Sequence, residues 1–191
     1  MLLIIKFFIS FIVFFNLNIV IASNFSSKAE FATVIDLDTE AVLYSKNTKS
    51  KIYPASMSKL MTLYILFEEI QNGTLSLDSK LVVSEKAWRK GGSKMFLEPG
   101  KEVSVKDILK GIIIQSGNDA CIVVAESISG DEDSFADLMN EKAVELGLEA
   151  SNFTNSTGWP DENHYMTVSD LALLSARIIK DFPEFFHFFK E

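Results

Sequence analysis

The sequence predicts an α+β fold in which an antiparallel sheet and a largely helical part form the two walls of a cleft. Two β-rich stretches, Phe31-Ala32-Thr33-Val34-Ile35-Asp36 and Ala41-Val42-Leu43-Tyr44, flank the turn-forming Asp36-Leu37-Asp38-Thr39-Glu40 and so read as a hairpin. Beyond it, apolar residues recur at helical spacing in one segment after another, from about residue 70 to 183. The stretch Pro54-Ala55-Ser56-Met57-Ser58-Lys59-Leu60-Met61-Thr62 stands between these two regions, which places Ser56 in the cleft.

The 191 residues suit a single domain or slightly more. With 48% hydrophobic residues and a net charge of -8, the composition is that of a globular protein. The acidic balance argues against a nucleic-acid partner, which would call for a basic face. Residues 1–22 read as a signal peptide, leaving 23–191 as the domain. Lys6 lies near the front, apolar runs follow over 7–15 and 17–21, and Val20-Ile21-Ala22 forms a small-residue cleavage signal. Asn16 and Asn18 interrupt the apolar run, which weakens a transmembrane reading. The single Cys121 has no disulfide partner and lies in an apolar helical run, as a small buried hydrophobe. His164 and His187 have no companions at metal-ligand spacing, so neither metal nor cofactor is expected.

Taken in order, Pro54 precedes a helix that runs from Ser56 to about Ile70 and stops at Asn72-Gly73. Its Leu60, Met61, Leu63, Tyr64, Ile65, Leu66 and Phe67 are apolar nearly all round, so it should be buried. Leu81-Val82-Val83 reads as a short strand, and Arg89 to Ser93 and Glu98-Pro99-Gly100 as loops framing a cleft. Ser104-Val105-Lys106-Asp107 has capping form and opens a helix through Ile108, Leu109 and Ile112. After the break at Gln115-Ser116-Gly117-Asn118-Asp119, a second apolar helix runs from Ala120 to near Gly130. Another, rich in acid at its start and closed by Gly147, carries Phe135, Leu138 and Met139. A loop over 152–160 follows, then Thr167 caps a final amphipathic helix that ends before Pro183. The last nine residues hold four phenylalanines that read as exposed, and one hairpin is a marginal sheet by itself. Both features point to the front part of a longer protein.

Ser56 and Lys59 sit at i and i+3, one helical turn apart, so the amine can reach the hydroxyl. The positive end of the helix dipole suits a developing oxyanion there. A capping serine would by itself also explain Ser-x-x-Lys. A second pair, Ser116 and Asn118 around Gly117, offers a hydroxyl and a carboxamide at a helix-to-helix break. Such a pair can relay a proton and hold a substrate amide. Ser45-Lys46-Asn47 matches the same short pattern, but a polar hairpin end explains it.

With both motifs in this order, the sequence resembles the bacterial penicillin-binding serine D-Ala-D-Ala carboxypeptidases of the low-molecular-mass class. Met95-Phe96-Leu97, Asn155-Ser156-Thr157-Gly158, His164-Tyr165-Met166-Thr167 and Asp170-Leu171-Ala172 also fit that family's pattern. The resemblance runs from Phe31 to Phe189. It implies a β-lactamase/transpeptidase-like fold, with helices on both faces of an antiparallel sheet and an all-helical lobe. By the same resemblance, Ser56 is the acylated nucleophile, Lys59 its base, Ser116 the proton relay to the leaving D-alanine, and Asn118 a substrate-binding residue. The implied partners are peptidoglycan stem peptides ending in D-Ala-D-Ala and β-lactam antibiotics, in the periplasm or at the outer face of the inner membrane.

The family's third motif, Lys-Thr-Gly, does not occur in the chain, and Lys90-Gly91-Gly92 stands in the wrong place to replace it. The chain as given is therefore expected to be inactive. Two alternatives follow from other classes: a class A-like β-lactamase, or a non-catalytic cell-wall-binding relic. The first would call for Ser-Asp-Asn where this chain has Ser116-Gly117-Asn118.

Overall fold

A computed structural model describes residues 25–191 of the chain; the expected signal peptide lies outside them. The predicted hairpin forms, with β1 (Ala32–Ile35) antiparallel to β2 (Val42–Lys46) and a register irregularity between Val34 and Ile35. Asp36 closes its turn by accepting from the backbone N–H of Thr39 at 2.8 Å and from its hydroxyl at 2.6 Å. Such side-chain bonds are what favour aspartate at turns.

A second antiparallel pair joins β3 (Lys80–Val82) to β4 (Glu102–Ser104). β3 overlaps the short strand expected at Leu81-Val82-Val83, whereas β4 corrects the all-helical reading of 70–183, because a strand of three residues carries too little alternation to be read from sequence. An isolated bridge of Ile52 with Met166 holds the approach to Ser56 against the 152–166 loop, and a second, Asn152 with Tyr165, closes that loop on itself.

The helices are α1 (Lys59–Gln71), α2 (Glu85–Arg89), α3 (Val105–Ile113), α4 (Asn118–Ser129), α5 (Glu132–Leu146) and α6 (Val168–Asp181). Side chains cap four of them: Ser84, Ser104, Asp131 and Thr167 each accept from a backbone N–H three residues on. Such caps are worth about 1 kcal/mol apiece. Helix α1 lacks one and grows instead from a 3-10 turn, Ala55–Ser58.

The core lies between α1 and α4. Met61 to Phe67 and Ala120 to Ala125 are buried, as is Cys121, whose thiol burial pushes up to about 12. An inert small side chain is the outcome expected of it. Helix α6 packs on β1 and on α1, where the Tyr64 hydroxyl donates to Asp181 at 2.8 Å.

The final phenylalanines are not the exposed set that the sequence suggests. A 3-10 segment, Pro183–Lys190, turns Phe185 and Phe188 into the core, where the Phe185 ring stacks on Phe67 at 4.9 Å. Burying such a ring contributes about 1.5–3 kcal/mol, one part of what works against the cost of ordering the segment.

Candidate active site

Ser56 is exposed at the mouth of α1, inside the 3-10 turn, while Lys59 one turn on is only 4% exposed. Lys59 Nζ lies 3.2 Å from Ser56 Oγ and donates to the Thr157 carbonyl at 2.7 Å. No carboxylate among the described residues forms an ion pair with Lys59. Burial therefore lowers the pKa of the amine from the ordinary 10.5 with no carboxylate to compensate; Cys121 pulls the other way without prevailing, and nearby Lys90 pushes the same way as burial. A carbonyl oxygen can only accept, so it holds an amine N–H in either protonation state. In the neutral amine, the lone pair is left for the Ser56 proton.

A capping role does not account for this serine. Neither the 3-10 turn nor α1 has a side-chain cap bond, and the hydroxyl of Ser56 meets Lys59 instead. The residue before it, Ala55, has φ +49, a left-handed conformation that costs an alanine free energy and so must be held by its surroundings. The Ser58 hydroxyl donates to the Ala55 carbonyl at 2.9 Å, and Gly158 lies against the same oxygen. A Cβ built on Gly158 would stand 1.8 Å from that oxygen, and φ there is +75. Only glycine fits.

Ser116 comes from the α3–α4 break, also left-handed at φ +54. It shares one cavity of about 210 Å³ with Ser56 and Lys59, walled by Leu60, Leu63, Ile112, Ile113 and Phe189. Three of the four residues singled out in the sequence thus meet in one place. Asn118 does not line that cavity. At the first turn of α4, its Nδ2 donates to the Gly91 carbonyl at 2.9 Å and its backbone N–H to Ser93 at 2.8 Å. Backbone passes so close that a Cβ on Gly92 would come 2.6 Å from Asn118 Nδ2.

Sequence reasoning did not assign roles to three supporting residues. Fully buried Asp119 accepts from the backbone N–H groups of Met95 and Leu97 at 3.0 and 3.2 Å, fixing the loop that carries exposed Phe96. Glu132, 6% exposed, accepts from the Ser156 hydroxyl at 2.9 Å and from its N–H at 3.3 Å, and pairs with Lys86 at 3.3 Å. His164, 2% exposed, reaches Ser58 Oγ at 2.7 Å. Asp119 directly follows the Ser116-Gly117-Asn118 motif and His164 opens a stretch that fits the family's pattern, which are their signals; nothing in the chain marks Glu132.

The family model described as D-alanyl-D-alanine carboxypeptidase, peptidase family S11, matches residues 18–191. The chain is 44% identical over 158 residues to the D-alanyl-D-alanine carboxypeptidase DacF of Bacillus subtilis, covering 83% of this chain and 41% of that protein. To the carboxypeptidase DacC of Escherichia coli it is 38% identical over 164 residues, with 83% and 41% covered. The crystal structure of DacD from Francisella tularensis superposes with a TM-score of 0.87 at 38% identity, over 88% of this chain and 41% of that one. Penicillin binding protein 5 of Haemophilus influenzae gives 0.86 at 34%, over 89% and 50%. The chain spans less than half the length of these curated relatives, and what it spans contains the Ser56, Lys59 and Ser116 cavity. By its match from residue 18 to residue 191, this chain belongs to the D-alanyl-D-alanine carboxypeptidase family of peptidases.

Proposed function

We propose that the chain carries the acylating half of a serine-type D-Ala-D-Ala carboxypeptidase acting on peptidoglycan stem peptides. The observation that carries the reading is the buried Lys59 amine, set between Ser56 Oγ and the Thr157 carbonyl without an acidic partner. Neutral Lys59 takes the Ser56 proton as Oγ attacks the carbonyl carbon of the penultimate D-alanine. The C–N bond then breaks, and Ser116 passes a proton to the departing D-alanine amine. Asn118 holds the peptide backbone; one Nδ2 hydrogen is engaged by Gly91, which leaves the second Nδ2 hydrogen and Oδ1 to meet a substrate amide. Water then releases the acyl group from Ser56. A β-lactam would acylate the same oxygen.

Residues 1–22 are proposed as an export signal, which puts the site in the periplasm, with the inner membrane as neighbour. Among the described residues, no helix is long and apolar enough to cross a membrane.

Labelled penicillin, followed by mass spectrometry of the Ser56 peptide and an assay for released D-alanine, tests the reading. A stable adduct on Ser56 supports the carboxypeptidase, rapid turnover of penicillin a β-lactamase, and no adduct a non-catalytic cell-wall-binding protein. Lys-Thr-Gly, which would clamp the substrate carboxylate and complete the oxyanion hole, does not occur within the 191 residues. The coding DNA read past the Glu191 codon tests that part: an open frame with the motif supports a working enzyme, and a confirmed stop supports the binding protein.

A further inference from the structure

We propose that His164 is a positioning residue for Ser56, acting through Ser58 on the Ala55 carbonyl. The inference rests on the reading of Ser56 as nucleophile, and it concerns how the chain presents that oxygen.

The hydrogen bonds fix the direction of the relay. His164 Nδ1 faces the backbone N–H of Thr154 at 3.1 Å, which can only donate, so Nδ1 is an acceptor. The Asn155 amide lies 3.4 Å from the same nitrogen. The neutral ring therefore carries its proton on Nε2, which donates to Ser58 Oγ at 2.7 Å. The Ser58 proton is thereby directed to the Ala55 carbonyl at 2.9 Å.

That carbonyl belongs to the Ala55–Ser56 peptide. A trans peptide is planar, so fixing its oxygen also fixes the direction of the Ser56 N–H and the place of the Ser56 Cα from which the side chain springs. Ala55 is left-handed at φ +49, a conformation that relaxes unless held. The loop from Thr154 to His164 holds it from two sides. Gly158 gives the oxygen room, and the His164–Ser58 pair supplies the bond that keeps it there. Phe153 packs edge-on against the imidazole at 5.6 Å and limits its rotation. The imidazole hydrogen-bonds to Ser58, Thr154 and Asn155 and to neither Ser56 nor Lys59, which is why its role is to position rather than to catalyse.

The test uses the whole chain and four substitutions: His164→Gln, whose amide nitrogen reaches as far as Nε2; His164→Asn, which offers an acceptor near Nδ1 but no donor to Ser58; Ser58→Ala; and the His164→Asn, Ser58→Ala double variant. Two readouts are taken beside thermal melts: the second-order rate of Ser56 acylation by a fluorescent penicillin, and the Ser56 backbone amide resonance in a ¹⁵N spectrum. His164→Asn and Ser58→Ala should each slow acylation about tenfold to a hundredfold in protein that still melts cooperatively. They should also shift the Ser56 amide. The double variant should be no slower than its slower parent, since both act along one path, and His164→Gln should recover most of the rate. Wild-type rates and an unmoved Ser56 amide in folded His164→Asn, or effects that multiply in the double variant, overturn the proposal. A wild-type protein that takes no penicillin defeats the carboxypeptidase reading instead, and the amide resonance then decides the relay by itself.

Discussion

Lys59 donates to the carbonyl oxygen of Thr157, 98 residues further along the chain, at 2.7 Å. That one bond ties the helix bearing the nucleophile to the loop that closes over it, and it sets where the amine points. Replacing Lys59 with arginine keeps the positive charge but removes any base, because a guanidinium does not deprotonate. Acylation of Ser56 by penicillin should fall by about 10²- to 10⁴-fold, the range for loss of a general base. In the unsubstituted protein the rate should climb with pH through an apparent pKa below 10.5, since burial favours the neutral amine. Stopped-flow acylation across pH checks both; a profile unchanged by the substitution would remove Lys59 from the mechanism.

Gly158→Ala should be among the most damaging small substitutions in the chain. The added methyl would sit 1.8 Å from the Ala55 oxygen, against backbone that is itself held, and φ +75 adds strain of its own. Overpacking and strain together should cost about 3 kcal/mol in urea unfolding. Acylation in whatever remains folded should drop too, because the Ala55 peptide must move. An alanine variant as stable and as reactive as the parent would mean the loop adjusts freely.

Much of this is legible in the sequence. The i, i+3 spacing of Ser56 and Lys59 is a purely local fact, and the helices begin where Ser104 and Thr167 can bond an N–H three residues on. What could not be read depends on closure over long separations. A Thr157 carbonyl looks like any other in sequence, and it becomes a ligand for Lys59 only when the 152–158 loop folds back over α1. Glu132 reads as one acid among three at a helix start, yet it alone is buried under that loop. Strand β4 and the burial of Phe185 and Phe188 are not legible for a related reason: their partners, not their own patterns, decide their state.

Glu132→Ala should loosen the same loop from its far side. The carboxylate satisfies both donors of Ser156, whose own side chain is fully buried, and the Thr62 hydroxyl in turn donates to the Ser156 carbonyl at 2.7 Å. Removing it strands two donors, and hydrogen bonds to a charged group are worth about 1.5–3 kcal/mol each at most. A loss of about 2–4 kcal/mol in denaturant unfolding is expected on that basis. Hydrogen exchange at Ser156 and Thr157 should accelerate by more than the global loss explains. Uniform acceleration across the chain would show that Glu132 supports the fold at large rather than this loop.

Acid should weaken the protein through His164. Burial lowers the pKa of its imidazole from the ordinary 6.5, and Asp161, the charged group that acts on it, pulls the other way without prevailing. The unfolded chain therefore binds the proton more readily than the folded one. Stability from this group is fully present above about pH 6.5 and is lost as pH falls toward the folded-state value. Protonation would also place an N–H at Nδ1, facing the Thr154 N–H that it now accepts from at 3.1 Å. Urea unfolding of the parent and of His164→Gln, followed from pH 7.5 down to pH 5, isolates this contribution from that of the carboxylates. The two stability curves should differ in slope just below pH 6.5, with the glutamine variant the flatter. Parallel curves would mean that His164 stays neutral, or is equally protonated in both states, across the whole range.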